Sequence, residues 1–296
     1  MFLLASPLVK RTIFVTLICF LSSFPTVQAA SVWRVTQGNN TLYLGGTLHI
    51  LSPEDYPLPS AYDKAYEASD KVVFETDLGA LNSAEFLRQT MALMMYQDER
   101  TIKDALSDQT YQQLSDYLAS RNIPIEQVSK MKPAMLGISL SMLEMQRVGL
   151  TSQGVDNFFY TRAKEDSKQI EWFETPKEQL EIIASLGEGD EDAYIKYSLD
   201  ELNTMTDLLG PLKTYWREGN MKGLYDVSML DFRTDYPDVY DHVLTQRNQN
   251  WLPKIIQYLS SEQTEFVLVG TMHMAGKEGV ITLLEKAGFT VTPVDE

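Results

Sequence analysis

The chain has almost no cysteine: one residue, Cys19, among 296. It lies in an apolar N-terminal stretch, and Thr16, Leu17 and Ile18 ahead of it lack the small residue expected before a lipidated cysteine. Once that stretch is removed, disulfides, thiolate chemistry and any zinc site built on cysteine are excluded. Positive charge is scarce as well. There are 25 Lys and Arg against 41 Asp and Glu, for a formal net charge of -16. Nucleic acids and anionic lipid surfaces are bound through basic patches, so neither is an expected partner. Beyond the N-terminus nothing approaches the ~18 apolar residues that a membrane-spanning helix requires. Proline- or serine-rich linkers and low-complexity blocks are missing too. Residues 31–296 therefore read as a single domain, long enough to bury a substantial core.

The N-terminus reads as an address. Lys10 and Arg11 precede apolar residues 12–24, Pro25 breaks the run, and Val27-Gln28-Ala29 supplies small residues before a cleavage point. That is the pattern of a secretory signal peptide over residues 1–30, with cleavage expected after Ala29 or Ala30. The expected destination is the periplasm or the exterior. Without Lys10 and Arg11 the chain keeps 23 basic residues against 41 acidic ones. The acidic cluster Glu188, Asp190, Glu191, Asp192 reads as a solvated loop or helix start.

Val32-Trp33-Arg34-Val35 and Leu42-Tyr43-Leu44 flank the turn-forming Gly38-Asn39-Asn40, which predicts a β-hairpin. Further strands are expected at 71–75, 169–173, 266–270 and 289–293. A helix over about 278–287 between the last two makes a βαβ unit, with parallel strands and a right-handed crossover. The middle of the chain reads as helical. Ser83 and Ser107 start helices, and Pro133 opens another that stops at Gly149. Thr175-Pro176-Lys177-Glu178 combines a capping box with proline at the first helical position. From 190 to 260 the helical pattern is interrupted at Gly210-Pro211, Gly219 and Pro237. The expected fold is α/β, with a central mixed, largely parallel sheet from both chain ends and a helical insertion over it.

Only three histidines are present. Two occupy matching settings, Leu44-Gly45-Gly46-Thr47-Leu48-His49 and Leu268-Val269-Gly270-Thr271-Met272-His273, each after an apolar strand. Loops at the carboxyl ends of strands are where open α/β sheets bind ligands. Gly46 and Gly270, three residues before each histidine, read as backbone necessities at the edge of a site. If the two strands are neighbours, the two histidines converge on one cleft. Glu75 ends the strand Val72-Val73-Phe74 and is placed in the same way. Two neutral imidazoles and a carboxylate make an open site for a divalent ion, whose bound water would become a nucleophile near neutral pH. Manganese, cobalt, iron and zinc all suit such ligands. His242, on a helix without such context, reads as structural. The methionines at helical spacing, among them Met91, Met94, Met135, Met142 and Met145, read as core filler.

The two Gly-x-x-His segments, Phe74-Glu75-Thr76-Asp77, Gly154-Val155-Asp156, Phe173-Glu174-Thr175 with Gln179, and Arg247-Asn248 together resemble the TraB/GumN/Tiki family. The resemblance extends over essentially all of the chain after the signal. It implies an α/β fold like that of erythromycin-esterase and ChaN-like proteins, and activity as a metal-dependent hydrolase of peptide bonds, as in the Tiki metalloproteases. It implies His49, Glu75 and His273 as metal ligands, with Arg247 and Asn248 in support. Met272 and Met274 beside the second histidine depart from the pattern. On this reading Glu75 is a ligand or the general base. Arg247 either stabilises an oxyanion or holds Glu75 by a bidentate pair. Asp156 and Glu174 read as bonding loops and helix starts. The expected partner is a peptide or protein substrate. Two alternatives stand beside it: a haem- or iron-binding protein resembling ChaN, and a metal-free, esterase-like hydrolase with a histidine as general base.

Overall fold

The computed structural model describes residues 29–151 and 153–295. Residues 1–28, the greater part of the expected signal peptide, lie outside the described residues. No helix among those described is long and apolar enough to cross a membrane.

Six strands form one mostly parallel sheet: β1 (Ala29–Gln37), β2 (Asn40–Thr47), β3 (Lys71–Thr76), β4 (Gln169–Glu174), β5 (Glu265–Gly270) and β6 (Thr290–Asp295). Their order is β4-β3-β5-β2-β1-β6. The expected hairpin is β1 and β2, paired antiparallel from Val32 opposite Gly45 to Gln37 opposite Asn40. β2 runs parallel to β5, with Thr47 opposite Gly270, and β3 is parallel to both β4 and β5. The final strand-helix-strand unit differs from a simple βαβ pair. β5 and β6 point the same way, but β2 and β1 lie between them, because β6 pairs antiparallel with β1. Local pattern gives strand direction; lateral position is decided by which apolar faces fill which gap in the sheet.

Every residue of β3 and of β5 is buried, as expected for parallel strands covered on both faces. On one face Val72, Phe74, Phe266 and Leu268 pack with Tyr62 and Tyr66 from the helix Ser60–Glu67, Phe159 from Val155–Glu165 and Trp216. On the other, Leu42, Leu44, Val267 and Val269 meet Trp251 and Ile255 from the helix Gln246–Tyr258 and Leu284 from Val280–Lys286. The helical insertion has its own core, in which Leu114, Leu118, Leu136 and Leu140 pack against Ile195, Leu199 and Leu202.

The capping signals hold. Ser83 accepts from Phe86 N–H, Ser107 from Thr110 N–H, and Thr175 and Glu178 form the capping box. The helix Pro133–Arg147 ends just before Gly149. One expected interruption is absent: a single helix, Glu191–Arg217, runs through Gly210 and Pro211. Its two ends are anchored in different cores, Ile195 to Leu202 in the insertion and Trp216 against the sheet. That packing outweighs the ~3 kcal/mol a proline costs inside a helix.

Glu265 starts β5 with its side chain buried, and its Oε2 finds no hydrogen-bond partner among the described residues. Lys71 lies 3.8 Å from it but pairs more closely with Glu171, at 2.8 Å. Burial pushes the Glu265 carboxyl up to about 7, against the pull of Lys71. A carboxyl raised by folding keeps a proton that the unfolded chain has lost. Its stabilising contribution is therefore complete below the ordinary glutamate range and is lost as pH rises toward 7. Glu265→Gln should remove that loss and leave the protein about 2 kcal/mol more stable than wild type at pH 8 but little changed at pH 4.5. Urea unfolding at the two pH values measures the difference.

Candidate active site at the carboxyl edge of the sheet

Three strands deliver the expected residues to one edge. The β2–β5 register brings the two Gly-x-x-His segments side by side, and β3, next to β5, carries Glu75 as its penultimate residue. Gly270 is the hub. A β-carbon there would lie 3.2 Å from Glu75 Oε1, 3.5 Å from His49 Nε2 and 3.6 Å from His273 Cδ2. The side chain that glycine lacks is the space the three groups share. Gly46 contributes through its carbonyl, which accepts from Tyr62 OH and from Trp216 Nε1–H and pins β2 to the core beneath.

Each imidazole is held by its Nδ1. His273 is buried; its Nδ1–H donates to Asn248 Oδ1 at 2.7 Å. Asn248 cannot turn, because its Nδ2 donates to the carbonyls of His273 and Glu278 at 3.1 and 2.9 Å. Arg247 Nη1 lies 3.1 Å from His273 Nε2, which must therefore carry the lone pair. Burial lowers His273 to about 3, so the ring is neutral. His49 sits at the rim, with its side chain 64% exposed while that of Asp156 is 11% exposed. Its Nδ1 is 2.8 Å from Asp156 Oδ2. The charge of Asp156 raises the His49 imidazole well above its ordinary value.

Three donors hold Glu75. Gly270 N–H donates to Oε1 at 2.6 Å, while Arg247 Nη2 and Gln179 Nε2 donate to Oε2 at 2.7 and 3.2 Å. Burial alone would raise its carboxyl. The surrounding His273, Arg247 and His49, with the Gly270 N–H, outweigh burial and hold it at about 2. With His273 neutral, the cations beside Glu75 at neutral pH are Arg247 and the His49 imidazole.

Arg247 does not embrace Glu75 with both arms. Its bidentate pair is with Glu174, from Nε and Nη2 at 2.9 and 2.8 Å, and a single contact reaches Glu75. Trp251 lies under the guanidinium and donates Nε1–H to the same Glu174 at 2.9 Å. A π-helical turn, Asp241–Thr245, runs directly into the helix bearing Arg247, Asn248 and Trp251; such turns are frequent at functional sites.

Two site residues escaped sequence reasoning. Asp156 and Glu174 read as loop and cap residues, yet one holds His49 and the other holds Arg247. A signal for Glu174 was present, since Phe-Glu-Thr occurs at 74–76 and again at 173–175, ending adjacent strands with Thr76 opposite Glu174. Asp156 is legible only through contact. Val155 N–H donates to Leu48 O at 3.0 Å, and a β-carbon on Gly154 would come within 2.2 Å of the His49 carbonyl. Close backbone approach at Gly154 brings Asp156 to the histidine. His242 stays outside this cluster, on the wall of a separate cavity with Asp238 and Asp241.

The donor set suits a divalent cation in kind. Both imidazoles donate Nδ1–H to a fixed acceptor, as ligating histidines do, which leaves each Nε2 toward the Glu75 carboxylate. As the side chains stand, His49 Nε2 has no hydrogen-bond partner among the described residues. His273 Nε2 is 3.9 Å from Glu75 Oε1 and is engaged by Arg247. As they stand, no three such side chains among the described residues are placed to hold a metal ion.

The sequence model of the TraB/PrgY/gumN family matches residues 31–293. The uncharacterized protein YbaP of Escherichia coli (strain K12) is 21% identical over 248 residues, 83% of this chain and 89% of its own length. YbaP of Shigella flexneri matches to the same extent. No solved structure matches the chain.

Removing Arg247 leaves the buried carboxylates of Glu75 and Glu174 without the cation that bonds both. Arg247→Met should cost about 3–5 kcal/mol, the usual penalty for stripping one partner from a buried ion pair. The shift in urea midpoint at neutral pH measures it.

Proposed function

The chain belongs to the TraB/PrgY/gumN family, and from that premise we propose that it is a hydrolase of peptide bonds that works with a divalent metal ion. The observation carrying this reading is the shared space over Gly270, faced by two Nδ1-anchored imidazoles and an ionised carboxylate. His49, Glu75 and His273 are the residues that would hold the ion, of manganese, cobalt, iron or zinc. Bound there, it would polarise the substrate carbonyl and lower the pKa of a water.

The protein's own groups divide the remaining work. Asp156 fixes the His49 ring and keeps Nε2 turned toward the space over Gly270. Asn248 does the same for His273 from beneath. Arg247, itself held by Glu174, keeps Glu75 ionised, so the site offers negative charge where a cation or a protonated leaving group needs it. His49 is the exposed ring that a substrate meets first.

One observation favours a second reading, hydrolysis without metal: Arg247 occupies His273 Nε2. The working groups are then His49 and Asp156. Neutral His49 takes the proton of the water that adds to the carbonyl and then, protonated and paired with Asp156, gives it to the amine that leaves; its raised proton affinity favours that protonated form.

The two readings part in one experiment. The protein is loaded with each divalent ion in turn, and bound metal and cleavage of a peptide library are measured for wild type, His49→Ala, Glu75→Gln and His273→Ala. The expected result is one equivalent of metal in wild type, lost in the variants with secondary structure intact, and cleavage reduced about 100-fold or more. Full cleavage after chelation moves the assignment to the metal-free pair. An uncleaved library under every loading condition sinks the hydrolase reading.

A further inference from the structure

We propose that a cavity beside His49 receives an uncharged, apolar side chain of the substrate, next to the bond that is cut; this rests on the hydrolase reading above. The cavity has a volume of about 410 Å³. It lies where three segments meet: the loop that carries His49, residues 149–151, and the last turns of the helix Pro133–Arg147. Its wall and the His49–Asp156 pair form one bonded unit. Ile50, which lines the cavity, directly follows His49. Leu51 O accepts from Thr151 N–H at 2.9 Å and from Thr151 Oγ1 at 3.1 Å, and Leu48 O accepts from Val155 N–H. Whatever fills the cavity is therefore held against the backbone that positions the exposed imidazole.

The chemistry of the lining selects the occupant. Ile50, Met142, Met145 and Leu150 form apolar walls, and the polar side chains present, Gln146 and Thr151, carry no charge. Two larger cavities differ in kind: one is lined by Arg100, Asp104, Lys132 and Glu181 among others, the second by Glu188, Asp238 and Asp241. A charged side chain entering the uncharged cavity would give up hydration with no counter-charge to meet it. Methionine side chains are unbranched and adapt to irregular shapes. Two of them on one wall point to a preference for leucine, methionine and phenylalanine as a group instead of one exact shape. The volume is toward the small end of the ~300–1,000 Å³ of ligand pockets, with room for the larger apolar side chains.

The test has a binding arm and a cleavage arm. The full chain carries ¹³C-methyl methionine, with the Met142 and Met145 signals assigned by Met142→Leu and Met145→Leu. It is titrated with N-acetyl-leucinamide, N-acetyl-aspartate amide and N-acetyl-lysinamide. The expected result is a saturable shift of both methyls with the leucine probe alone, kept in His49→Ala and lost in Met142→Glu. If Met142→Glu does not fold, Met142→Ala should still bind and should prefer the phenylalanine amide over the leucine amide at least threefold more than wild type does. No saturable shift, or equal shifts with the charged probes, overturns the proposal. In the cleavage arm, wild-type cuts should carry leucine, methionine or phenylalanine at one fixed flanking position, an enrichment that falls at least tenfold in Met142→Glu. A library cleaved without that enrichment overturns the cavity assignment and leaves the hydrolase intact. Saturable leucine binding with an uncleaved library overturns the hydrolase reading instead.

Discussion

The Arg247 guanidinium lies between two carboxylates, Glu75 and Glu174, and against the Nε2 of His273. Two buried carboxylates in one small volume repel each other and shed their charge unless a cation sits between them. Arginine suits this position because its planar fork meets one carboxylate with two bonds and still has a donor for the other. The π-helical turn ahead of it and the Trp251 ring beneath it fix where that fork points. Burial keeps His273 neutral, and the charges around Glu75, Arg247 among them, keep it ionised.

Much of this edge was legible beforehand, because it is built from strand ends. The Gly-Thr-x-His repeats mark β2 and β5, and Phe74-Glu75 marks β3. The parallel pairing of β2 with β5 then turns two distant motifs into neighbours. The hairpin, the serine caps and the capping box were readable because a side chain within four residues decides each of them. Less legible were features settled across the fold. Asp156 and Glu174 each stand at a loop or helix start, where an acid usually serves the local backbone; their partners are 107 and 73 residues away. Gly210-Pro211 is a helix breaker by local rules, but anchoring at both ends carries the helix through. The lateral position of β6 was hidden for a similar reason: β1, the one strand of reversed direction, had to be placed first.

The two histidines play unequal parts despite their matching motifs. His273 is enclosed, tilted against the Trp251 ring and locked at both nitrogens. His49 is exposed and anchored at one nitrogen only. A repeat in sequence has become an asymmetric pair in space, since one loop faces the helix Gln246–Tyr258 and the other faces solvent and the loop before Asp156.

The strand that joins the two halves of the sheet, β5, is the fifth of its six in chain order. It alone connects β4-β3 to β2-β1-β6. Until residues 265–270 are in place, β2 and β3 have no common partner, and His49 and Glu75 belong to separate pieces. Such long-range pairing forms late, after most of the loop-closure entropy has been overcome. A growing chain therefore keeps these side chains apart for nearly its whole length, and the strand that closes the sheet also brings them together.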